Sequence, residues 1–83
     1  MVRNVRIIIT DISEKNNKPL IKVLCYGTQC EITHEKDLDF DELNKIINKE
    51  KALGKTVMVQ TPNNKEKADK IKTHIKESVI LIN

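Results

Sequence analysis

The chain has no tryptophan, one tyrosine, one phenylalanine, two cysteines, two glycines and two prolines among its 83 residues. Each scarcity excludes something. Two cysteines cannot build the multi-bridge framework of a small secreted scaffold. Two glycines leave no glycine-rich phosphate loop, and neither a G-x-S-x-G nucleophile turn nor a paired-carboxylate motif is present. With Tyr26 and Phe40 as the only aromatics, there is no run of rings on which single-stranded nucleic acid could stack. No apolar run approaches the ~20 residues of a membrane span. The segment MVRNVRIIITDIS starts with positive charge, but its apolar run is short for a signal peptide and no small-residue cleavage site follows. These absences lead us to expect a soluble cytoplasmic protein with reduced thiols, no cofactor and no catalytic constellation.

What is present suffices for one domain spanning residues 1–83. Leu, Ile, Val and Phe supply 25 of the 83 residues, above the roughly 20% below which disorder is expected. A chain this short buries only about 60% of the surface its unfolded form exposes, so its stability margin is thin. The net charge is +3, carried by thirteen lysines and two arginines against twelve acids. It is unevenly spread: residues 1–43 hold six basic and eight acidic side chains, residues 44–83 nine and four.

Hydrophobic periodicity places the elements. VRIIITDI (Val5–Ile12) is β-branched with no helical period and reads as a strand. Val5, Ile7 and Ile9 fall on one face, Ile8 and Ile12 on the other, so this strand belongs inside a sheet. SEKNNKP is a polar loop, and PLIKVLCY is a second strand. Gly27-Thr28 then reads as a two-residue type II′ turn. That turn sets Cys25 opposite Cys30, Val23 opposite Ile32 and Ile21 opposite His34, with all six on one face.

LDFDELNKIINKEKALG reads as a helix. Asp39 is its N-cap with Glu42 three residues on, Leu38 and Leu43 form a hydrophobic staple, and Gly54 is the stop. Phe40, Leu43, Ile46, Ile47 and Leu53 form its apolar stripe. KTVMVQ is a strand ended by Pro62. A second helix, capped by Asn63 or Asn64, runs to about Ser78 with Ala68, Ile71, Ile75 and Val79 inward. VILIN closes the chain as a short apolar strand.

The fold class expected is therefore α/β, of α+β-like character: one mixed five-stranded sheet of element order β-β-β-α-β-α-β, an antiparallel meander followed by two helical crossovers. Two strand orders satisfy it, 3-2-1-4-5 and 3-2-1-5-4. Both helices are expected on one face, leaving Leu24 and Tyr26 partly exposed on the other. An apolar last strand at a sheet edge would be closed by a homodimer.

Three clusters carry candidate chemistry. Cys25, Cys30 and His34 read first as two small buried thiols beside a hairpin histidine, and alternatively as a redox pair or two ligands of a zinc site. Asp37, Asp39 and Asp41 alternate like the start of a calcium loop, but Glu42 stands where the turn glycine is required. Acids at a helix N-terminus are explained by capping and by the helix dipole. Lys65, Lys67, Lys70, Lys72 and Lys76 read as a solvated helix face or as phosphate contacts.

The element order resembles that of the ribonuclease-H-like fold. The resemblance implies strand order 3-2-1-4-5 and a metal-binding aspartate on the first strand, where this chain has Asp11, with Glu42 or Glu50 standing for the glutamate of the first helix. The end of the fourth strand, Thr61-Pro62-Asn63-Asn64, lacks the next carboxylate, which argues against a two-metal nuclease.

The leading functional expectation is a non-enzymatic binding or adaptor module that meets a protein partner, or a second copy of itself, through Leu24, Tyr26 and the open sheet. The alternatives are a weak nucleic-acid binder using Lys65, Lys72 and Lys76, and a thiol-redox or zinc-binding domain. A membrane partner is not expected.

Overall fold

The computed structural model describes residues 4–27, 34–75 and 79–82. They form one mixed five-stranded sheet and two helices: β1 (Asn4–Lys15), β2 (Lys18–Tyr26), β3 (Lys36–Asp39), α1 (Phe40–Ala52), β4 (Thr56–Gln60), α2 (Lys65–His74) and β5 (Ile80–Ile82). The strand order is β3-β2-β1-β4-β5, with β2 antiparallel to its neighbours and β4 parallel to both β1 and β5. This is the first of the two orders expected. β1, the strand richest in isoleucine, lies at the centre.

That order decides where the helices go. The connection from β3 to β4 and the connection from β4 to β5 step across the sheet in the same direction. Right-handed crossovers stepping the same way deposit their helices on the same face. The other order would have reversed the second step and put α2 on the opposite side. Accordingly a single core forms under both helices. Val5, Ile7, Ile9, Ile21, Val23, Cys25, Leu38, Val57 and Val59 of the sheet bury against Phe40, Leu43, Ile47 and Ile71 of the helices.

The helix ends follow from local chemistry. Asp39 accepts the Glu42 backbone N–H at 2.8 Å, and Asn64 accepts that of Lys67 at 3.1 Å, so each helix starts on a side-chain cap. At the far end of α1, Gly54 donates to Lys51 O and Lys55 to Glu50 O, with Gly54 at φ +80°. This is a Schellman closure around a left-handed glycine. Leu53, expected on the buried stripe, is the C-cap residue and is exposed. α2 stops at His74, four residues short of the expected end, with Ile75 extended. Thr73 Oγ1 donates to the Lys70 carbonyl, and His74 Nδ1 lies 2.8 Å from the same oxygen, side-chain bonds that turn the last polar residues back onto the helix.

Three local features depart from the sequence reading. The loop between β1 and β2 is only Asn16-Asn17, both at positive φ (53° and 63°). This is the signature of a two-residue type I′ turn, and asparagine tolerates that region better than other side chains. The polar segment around it therefore continues the ladder through Lys15–Lys18.

Second, β1 carries a bulge. Ile9 pairs with Val23 and Asp11 with Lys22, leaving Thr10 as the extra residue. The extra residue reverses the alternation. Ile12 consequently joins the core side opposite Ile21 instead of the outer face.

Third, β3 is Lys36–Asp39, with Ile21 opposite Leu38 and Val23 opposite Lys36. The type II′ register, which set Ile21 against His34, is thus displaced by four residues. The expected turn at Gly27-Thr28 lies for the most part outside the described residues; Gly27 itself has φ +142°. Its role is space: a Cβ there would meet Asn4 O at 3.0 Å and Val5 Cα at 3.1 Å. The displacement is even in number, so inward residues of β2 stay inward.

Candidate functional site

Among the described residues, no element covers the face of the sheet opposite the helices. Register alone defines what lies on it. Tyr26, Arg6, Met58 and Ile80 stand side by side on β2, β1, β4 and β5, and Leu24, Ile8, Gln60 and Ile82 form the next row. Tyr26 is 54% exposed and Ile80 53%, while Ile8, Leu24, Met58 and Ile82 are half-buried by one another. A shallow depression of about 330 Å³ lies in the first row, lined by Asn4, Arg6, Ile8, Tyr26, Gly27 and Met58. Toward β3 the face becomes charged, with Lys22 between Asp11 and Asp37. The result is an apolar area bordered by charge, with Arg6 as the cation inside it.

Its two bordering edges differ in kind. β3 carries a charge at three of its four positions, Lys36, Asp37 and Asp39. β5 is Ile-Leu-Ile, with Ile80 and Leu81 exposed. Among the described residues, β5 pairs on one side only. Leu81 points to the helix side yet remains 43% exposed.

Leu24 and Tyr26 therefore lie together on the open face as the sequence indicated. Lys65 and Lys72 are exposed on α2 and line one depression with Asn64 and Asp69. Lys76 lies outside the described residues. Lys67 Nζ is 2.6 Å from Asp11 Oδ1, an ion pair at the surface between β1 and α2. That carboxylate also accepts the Ile12 N–H at 2.8 Å. The hydrogen bond from Lys67, followed by that from Ile12, holds the Asp11 carboxyl below the usual carboxylate range.

Cys25 is buried in the core on the helix side, and its sulfur is held in a disulfide. This replaces the reduced thiol expected from the sequence. Cys25 is the last inward residue of β2. Cys30 lies outside the described residues. His34 is exposed and precedes β3 instead of sitting within it. His74 stacks on Phe40, ring centroids 4.6 Å apart, and so is committed to the contact between helices.

Of the carboxylates singled out by the fold resemblance, Asp11 and Glu50 are engaged, while Glu42 stays exposed in the first turn of α1. Asp11 is bound to Lys67, and Glu50 lies 2.7 Å from Lys55 Nζ in the interior. Among the described residues, no group of three His, Cys, Asp or Glu is placed to hold a metal ion. No described helix is long and apolar enough to cross a membrane.

Two features of the site escaped sequence reasoning. Met58 and Ile80 were read only as strand residues, and their alignment with Tyr26 depends on β4 and β5 pairing beyond β1. The single signal available was alternation in KTVMVQ, where Met58 falls between two inward valines. Compared with known proteins, the chain matches no family model, no curated protein and no solved structure. The likeness to the ribonuclease-H-like fold accordingly stays at element and strand order.

Proposed function

We propose that this chain is a small protein-interaction module whose docking surface is the uncovered sheet face. The observation that carries this reading is the row Tyr26–Arg6–Met58–Ile80, apolar side chains around one arginine crossing four strands with neither described helix above it. An exposed apolar patch rimmed by charge is unfavourable in water and is stabilised when a partner covers it. Tyr and Arg, both in this row, are among the side chains that most often dominate interface energetics. The Arg6 guanidinium selects a partner with a carboxylate or carbonyl set among apolar groups.

The test is site-specific photo-crosslinking from position 26, with the exposed α1 residue Lys45 as control position. The reading expects a protein adduct from position 26 that is absent from position 45, and loss of binding to that purified protein in Met58→Lys. Equal adducts from both positions, or undiminished binding by Met58→Lys, would overturn it.

A second reading, contact with nucleic acid, is supported by Lys65 and Lys72 lining one depression on α2. Asp69 in the same depression and the engagement of Lys67 by Asp11 oppose it. Binding to a generic duplex would be salt-sensitive if those lysines met phosphates. Absence of binding at low salt removes this reading.

A further inference from the structure

We infer that β5 is the self-association edge of this protein: two copies pair their β5 strands antiparallel about a two-fold axis at Leu81, joining two sheets into one. The inference rests on the interaction reading above and assigns a second copy of the chain to the edge that borders that face.

The argument begins with how natural sheets protect their edges. An edge strand displays unpaired N–H and C=O groups, and proteins blunt it with charges, proline or bulges. This chain does so at one edge only. β3 is charged at three of four positions, whereas β5 carries no charge, no proline and no polar side chain. In a chain whose charged residues make up 33% of the total, an unguarded strand at the sheet boundary marks a surface meant to be covered.

Backbone polarity then fixes the register. The Ile82 carbonyl accepts the Thr61 N–H at 2.9 Å, so Ile82 directs its backbone groups toward β4. Successive residues of a strand direct theirs to opposite sides. Ile80 therefore also faces β4, and Leu81 alone presents both its N–H and its C=O outward. One outward residue in a three-residue strand admits one symmetric pairing. Leu81 exchanges both hydrogen bonds with its own mate, and Ile80 stands opposite Ile82 of the partner copy.

Side chains agree with this arrangement. A two-fold axis normal to the sheet keeps each face on its own side. Ile80 and Ile82 of both copies then extend the apolar row begun by Tyr26 and Met58, and the two Leu81 side chains meet on the helix side, where each is half exposed in the monomer. No like charges are brought together, because β5 has none. A symmetric closed contact of this kind consumes both edges and stops at two copies, since the remaining β3 edges are charged. A different protein would need an equally bare apolar edge; the chain already supplies one in equal amount.

The experiment is sedimentation equilibrium of the full chain from micromolar to millimolar concentration, with amide hydrogen exchange followed by NMR across the same range. The expected result is a monomer–dimer equilibrium in which the Leu81 amide exchanges more slowly as concentration rises, while Ile80 and Ile82 are protected throughout. Leu81→Lys is expected to weaken dimerisation by about a hundredfold, through loss of two buried leucines and opposition of two charges. A wild type that stays monomeric overturns the inference and leaves the sheet-face reading standing. A dimer whose Leu81 exchange ignores concentration also overturns it, because the contact then lies elsewhere. If Leu81→Lys does not fold, the wild-type exchange at Leu81 decides alone. The sheet-face reading fails separately, by undiminished partner binding in Met58→Lys.

Discussion

Lys55 Nζ lies 2.7 Å from Glu50 Oε2 with the two side chains only 6% and 2% exposed. The pair joins the last turn of α1 to the residue before β4, and the Lys55 backbone N–H reaches the Glu50 carbonyl as well. A cation at this point also complements the C-terminal end of the helix dipole. Taking two charges out of water is costly, and removing one partner strands the other. Glu50→Ala is therefore expected to destabilise the fold by about 3–5 kcal/mol. The double change Glu50→Leu with Lys55→Met is expected to restore most of that loss. Urea denaturation of Glu50→Leu, Lys55→Met and the double variant measures the coupling, and additive losses would contradict it.

Gly27 is expected to be irreplaceable for a reason of contact. Its φ of +142° is one that L side chains rarely adopt, and a Cβ would press on the backbone of Asn4 and Val5. Those atoms belong to the central strand and cannot yield as a flexible side chain would. Gly27→Ala is expected to cost about 1–3 kcal/mol, read as a fall in urea midpoint at constant slope. Gly54→Ala, where nothing lies within 4 Å of the added carbon, carries only the cost of a left-handed φ and should lose less.

The turn at Asn16-Asn17 offers the opposite sign. Both residues sit at positive φ, which glycine adopts without steric cost. Asn17→Gly is expected to be neutral or to stabilise by a few tenths of a kcal/mol, and Asn17→Val to cost about 1–2 kcal/mol. Thermal unfolding of the pair tests this. A tolerant response to valine would show that the turn does not set the register of β1 and β2.

Asp11 carries a prediction about acid. Its carboxyl is held below the usual range by the Lys67 hydrogen bond and then by the Ile12 N–H. A group with a depressed folded-state pKa contributes stability above its unfolded value and loses it as pH falls through the folded value. The tie between β1 and α2 is therefore present at neutral pH and released in acid below the normal carboxylate range. Lys67→Met should raise the Asp11 carboxyl toward its ordinary value, measured by NMR titration of the side-chain carbon. An unmoved titration would place the cause in the backbone bond alone.

The legible part of this protein lies in its local chemistry. Asp39, Asn64 and Gly54 mark helix boundaries because a cap or a left-handed stop needs only the few residues beside it. The isoleucine-rich first strand declares itself central because its apolar residues require cover whatever the neighbours are. Tyr26 and Leu24 were placed on the open face because strand alternation from Val23 and Cys25 allows nothing else. The candidate site was thus half visible, on β2, and invisible on β4 and β5.

What the sequence by itself determined is the identity and order of the elements and the inward or outward sense of β2. Only the tertiary structure decided the rest. β3 could have followed a tight turn at Gly27-Thr28, but Leu38 fills the core beside Ile21 and Asp39 caps α1 directly, and that joint requirement displaces the register by four residues. The bulge at Thr10 turns Ile12 inward, which no local pattern signals. Glu50 and Lys55 pair in the interior because α1 and β4 close over them, again without a local signal. Above all, the choice of β4 before β5 in the sheet puts both helices on one side and leaves Tyr26 and Ile80 exposed, with Met58 half-buried between them, on the other. These outcomes share one physical cause: each depends on residues far apart in the chain competing for the same buried volume, and that competition is settled only when the sheet has assembled.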